Sequence, residues 1–149
     1  NYTLRYINFA TYYSALLLLG NKQDNIEAIS VLDRILVLYQ QFPFHSFVDT
    51  IYLNLIIGAF NLKNYAKVND SYKRYKKATK GKAVNPENDL CLHGFYYASK
   101  YLETNRNQYI KKLQSILLST NTTKYSHTYK IILDMVEYFK IPISLAKTE

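Results

Sequence analysis

The chain has 149 residues, 48% of them apolar and 20% charged, with Gly 4, Pro 3 and Cys 1. That is one domain's worth of chain, able to bury most of its apolar side chains; the composition excludes disorder, collagen-like sequence and low-complexity linker. One cysteine excludes an internal disulfide framework and a cysteine-based metal site, and Lys+Arg 19 against Asp+Glu 11 leaves a net charge of +8.

The first predicted element covers 2–19. Its uncharged run, Tyr6 to Asn21 between Arg5 and Lys22, includes Leu16 to Leu19 but also Asn8, Thr11 and Ser14. A membrane span needs roughly 20 mostly apolar residues, so the run reads as a helix of a soluble chain. No signal-peptide pattern is present, and a cytoplasmic location is expected. The chain starts at Asn1 rather than Met, which predicts a piece of a longer or processed polypeptide; a signal removed before Asn1 is the alternative.

Six more helices follow at 24–41, 46–62, 64–80, 86–103, 106–119 and 123–140, each carrying apolar residues at helical spacing. Asp24-Asn25-Ile26-Glu27 is a capping-box pattern, and Ser46-Phe47-Val48-Asp49 a looser one after Pro43. Asn85-Pro86-Glu87 sets a cap residue, a proline at the first helical position and an acid in the first turn. Gly20 and Gly81 stand where helix ends favour a left-handed residue, and Ile141-Pro142 stops the last helix. Helix 24–41 has two apolar flanks: Ile26, Ile29, Leu32, Leu36 and Tyr39 on one, Ala28, Val31, Ile35 and Leu38 on the other. So wide an arc calls for neighbours on two sides. The spacing is 3–4 rather than 2, so the expected fold class is all-α.

Short turns at Gly20–Gln23, Lys63-Asn64 and Thr104-Asn105 tie the helices into pairs, and recur about every 40 residues, a repeat of helix pairs. One pair cannot cover its own apolar surface, so successive pairs must stack. Leu55, Gly58, Leu62, Asn64-Tyr65, Val68, Tyr72 and Tyr75 resemble a tetratricopeptide repeat. Gly20 to Ile35, with Ala28 and Leu32, is a weaker echo, and Asn107-Gln108-Tyr109 with Leu113 and Ile116 a third. The period exceeds the usual ~34 residues, Val68 replaces the hallmark alanine, and the proline after the repeat is missing. The resemblance implies a single tetratricopeptide-like α-solenoid over 1–149, about seven helices stacked as antiparallel hairpins. It also implies a concave surface, built by the first helix of each pair, that recognises peptides or proteins.

Chemistry is sparse. His45, His93 and His127 lie far apart, with no HxxH or HExxH spacing and no acid cluster beside them. Cys91 sits between Leu90 and Leu92 in an apolar helix and reads as an inert thiol. Asp134 and Glu137 lie near Lys130 and Lys140, the pattern of an exposed face. No glycine-rich phosphate loop occurs. No enzymatic activity, cofactor or metal is therefore expected. The sequons Asn69-Asp70-Ser71 and Asn121-Thr122-Thr123 carry little weight without evidence of secretion.

Two surfaces remain. Helix 46–62 has no charge between Asp49 and Lys63, and its polar exceptions, Thr50, Asn54 and Asn61, form a narrow stripe that Asn8 and Thr11 echo on helix 2–19. A carboxamide both donates and accepts, which suits pairing with a peptide backbone; in tetratricopeptide-like proteins such asparagines can clamp an extended peptide. Between Lys63 and Lys82 eight cations oppose the single acid Asp70, with Lys67, Lys73, Arg74, Lys77 and Lys80 on one arc. That arc suits a solvated face or an acidic partner. Nucleic acid fits it less well, because lysine outnumbers arginine and the tyrosines lie on the apolar face. The expected function is a non-enzymatic scaffold binding a protein or peptide on its concave side. The alternatives are a peptide-sensing part of a regulator, although no helix-turn-helix segment is present, and binding of an acidic partner or nucleic acid through Lys63–Lys82.

Overall fold

The computed structural model describes residues 22–41 and 48–144. They form six helices and no strand: α1 (Lys22–Gln41), α2 (Val48–Asn61), α3 (Tyr65–Thr79), α4 (Pro86–Thr104), α5 (Asn107–Thr120) and α6 (Ser126–Tyr138). The all-α expectation holds for these residues. Predicted helix 2–19, with Asn8 and Thr11, lies outside them, as do Gly20 and His45. Among the described residues no helix is long and apolar enough to cross a membrane.

The chain divides into two compact units, Asn1–Val84 and Asn85–Glu149. In the first, α2 packs against α1 and against α3. The reason lies in its sequence: Ile51, Leu55, Ile56, Ala59 and Phe60 are fully buried, and their spacing spreads apolar surface over more than one flank. In α1 the residues Ala28, Leu32, Ile35 and Leu36 are buried, and in α3 Val68 and Tyr75. Tyr75 packs edge-to-face on Tyr52, with ring centroids 5.9 Å apart, a favoured aromatic geometry. The apolar flank expected to run from Ile26 through Ile29, Leu32 and Leu36 is corrected at Ile26, which is 44% exposed. The buried stripe of α1 centres on Ala28, Leu32 and Ile35, and Ile26 falls roughly 150° away from that centre at 100° per residue.

In the second unit α4 contacts both α5 and α6, and α5 contacts α6. Leu92, Phe95, Ala98, Leu113, Leu117, Ile132 and Val136 form its core. α4 approaches α6 closely at Gly94, where a Cβ would stand 3.0 Å from Ile132 Cδ1 and 3.2 Å from its Cγ1.

Helix ends follow local chemistry. Asn64 accepts a hydrogen bond from the Lys67 amide, and Asn85 accepts from the amides of Glu87 and Asn88 ahead of Pro86, as capping requires. Asp24 is corrected: Lys22 and Gln23 are already helical, so Asp24 lies within the first turn of α1. There it faces the positive end of the helix dipole. The C-termini of three helices close on residues with left-handed backbone, Lys63 (φ 58), Asn105 (φ 60) and Lys140 (φ 55). At Lys63 and Lys140 the paired bonds of a Schellman motif are complete: Lys63 N–H to Phe60 O with Asn64 N–H to Ala59 O, and Lys140 N–H to Glu137 O with Ile141 N–H to Val136 O. Gly81 (φ 74) takes the left-handed position read from the sequence.

Candidate functional site

Among the described residues of the first unit α2 is the most enclosed helix; nine of its residues are buried. The remaining five, Thr50, Leu53, Asn54, Ile57 and Asn61, are all half-buried. At 100° per residue they share one strip about 100° wide. The polar stripe expected from sequence is thus the accessible side of α2, joined by two aliphatic side chains that sequence reasoning left out. An apolar residue on an apolar helix gives no contrast; the available signal was that Leu53 and Ile57 fall within about 60° of Thr50 on the helical wheel.

The amides in the strip are anchored. Asn54 donates from Nδ2 to the Thr50 carbonyl at 2.9 Å, and Asn61 donates from Nδ2 to Asn25 Oδ1, on α1, at 3.3 Å. Asn25 is buried, so the Asn61 contact also fastens α1 to α2. A carboxamide carries two N–H donors and a two-lone-pair oxygen. Each of these bonds engages one donor and leaves the amide orientated rather than saturated.

The second face lies on α3, and the structure divides its expected members. Lys67 donates to Asp33 Oδ2 at 2.7 Å, and Arg74 lies 3.9 Å from Asp33 Oδ1 and 3.9 Å from Asp70 Oδ2. Arg74 also stands 6.0 Å from the centroid of the Tyr52 ring. Lys67 and Arg74 are therefore turned toward α1 and α2. Lys73, Lys77 and Lys80 are exposed, together with Lys76. Among the described residues no ion pair includes any of these four.

Residues weighed for catalysis do not converge. His93 Nδ1 lies 2.7 Å from the Asp89 carbonyl one turn back in its own helix, and its ring tilts against Tyr97. His127, Asp134 and Glu137 are exposed. The described residues contain no group of three or more His, Cys, Asp or Glu able to hold a metal ion. Burial pushes the Cys91 thiol up to about 12, which keeps it protonated and unreactive at neutral pH. The sequons also part: Ser71 is fully buried inside α3, whereas Asn121, Thr122 and Thr123 are exposed beyond the end of α5. No family profile matches this sequence, and no curated protein and no solved structure matches it.

Proposed function

We propose that this chain is a non-enzymatic, tetratricopeptide-like helical scaffold, cytoplasmic in location, that binds a protein or peptide along the strip Thr50–Leu53–Asn54–Ile57–Asn61. The observation that carries the reading is that α2, buried on its other sides, keeps accessible an uncharged strip in which orientated amides alternate with aliphatic side chains. Such a surface suits an extended peptide. The amides pair with its backbone, the aliphatic positions take its side chains, and anchoring reduces the entropy lost on binding.

The test is a displayed-peptide selection on the whole chain, followed by affinity measurements on variants. Peptides selected on the native protein are expected to lose about tenfold or more in affinity, some 1.4 kcal/mol, on Ile57→Lys and on Asn54→Ala, with little change in melting temperature. Asn61→Ala, which removes the bond to buried Asn25, is expected to lower the melting temperature as well. Selected peptides whose affinity is indifferent to both Ile57→Lys and Asn54→Ala would overturn the reading.

A further inference from the structure

The cations of α3 divide into two sets. Lys67 and Arg74 pair with Asp33 and hold α3 to α1. Lys73, Lys76, Lys77 and Lys80 stand exposed, the last at the helix C-cap. At 100° and 1.5 Å per residue they span about 100° of arc and about 10 Å of axis. Cations near a helix C-terminus also ease the negative end of its dipole, an effect confined to the last turn. Lys76 and Lys77 fall in that turn, but Lys73 precedes it, so the dipole does not account for the strip.

We infer that this lysine strip is a second docking surface, distinct from the strip on α2, whose occupant is an acidic peptide segment of a protein partner. Charge complementarity selects an anion, and the detail of the strip selects carboxylate over nucleic acid. The strip holds no guanidinium, the fork suited to phosphate and base edges. It offers no open ring for a base to stack on: Tyr75 is buried, and Tyr72 is half-buried with Lys76 Nζ 5.9 Å from its ring centroid.

The test uses the whole chain and fluorescein-labelled probes: a glutamate-rich dodecapeptide and single-stranded and duplex oligonucleotides of matched charge. The peptide is expected to bind at low salt and to weaken steeply as salt is raised, and to bind more tightly than either oligonucleotide. Lys73→Glu/Lys77→Glu is expected to weaken it at least tenfold. Lys111→Glu/Lys112→Glu, the same charge change at two exposed lysines of α5, should leave it within about twofold. If the charge reversal disturbs the circular dichroism spectrum, Lys73→Gln/Lys77→Gln replaces it, with a loss of threefold or more expected. Four results would overturn the inference: no peptide binding at low salt, tighter binding of an oligonucleotide, an unchanged affinity in the α3 variants, or an equal loss in the α5 variant.

Discussion

At the scale of single residues, two buried positions carry sharp expectations. Cys91 has an ordinary thiol value of 9.0 that burial raises to about 12. Below about pH 9 both folded and unfolded chains hold the proton. Between about 9 and about 12 only the unfolded chain releases it, so stability falls as pH rises through that window. Cys91→Val is expected to flatten this part of the denaturation-midpoint profile, and a thiol reagent should label the native protein only after denaturant is added. Gly94 faces opposing effects. Alanine would gain about 1 kcal/mol of helix propensity, but overpacking against buried Ile132 costs about 1–3 kcal/mol. The β-branched Ile132 is stiff about χ1 and fully buried, so Gly94→Ala is expected to destabilise in urea melts. Ile132→Val removes the Cδ1 atom nearest the added methyl, and the double variant should lose less than the sum of the two single ones. Lys63 and Lys140 pay the strain of left-handed backbone, so glycine at either is expected to raise stability by up to about 1 kcal/mol.

At the scale of elements, side chains fix how helices begin and which helices touch. Asn85 caps α4 through two amides, and Asn85→Ala is expected to cost about 1 kcal/mol in chemical denaturation. Asp33 joins α1 to α3 through Lys67 and Arg74. All three side chains are partly exposed, so Asp33→Ala is expected to cost no more than about 1 kcal/mol, and the deficit should shrink in high salt. The Asn85 cap was legible in sequence because the bonds it makes are local; Asn64 was read only as a turn residue. Lys63, Asn105 and Lys140 were not legible: glycine is the residue type that marks a left-handed helix end in sequence, whereas a Schellman closure shows itself through backbone bonds that any residue can complete. The division of the basic face was hidden for a different reason. Asp33 and Lys67 are 34 residues apart, and helical periodicity places residues on a face without saying what stands opposite.

At the scale of the whole molecule, the all-α character of the described residues was readable, and the helix ends from Asn61 to Tyr138 fall within three residues of those expected, because apolar periodicity and end signals agree there. The boundary between the units at Val84 and Asn85 was not read; only a single cap signal marks it. Lys80, Gly81, Lys82 and Ala83 are exposed there, so limited trypsin digestion is expected to cut at Lys80 or Lys82 before other sites within 48–144, with mass spectrometry of the fragments as the check. The seat of Ile132 over Gly94 also constrains descent. A side chain larger than hydrogen settles at 94 at less cost once 132 has grown smaller, so the order in which the two positions change is biased. In chains that share this unit, bulk at one site should track its absence at the other.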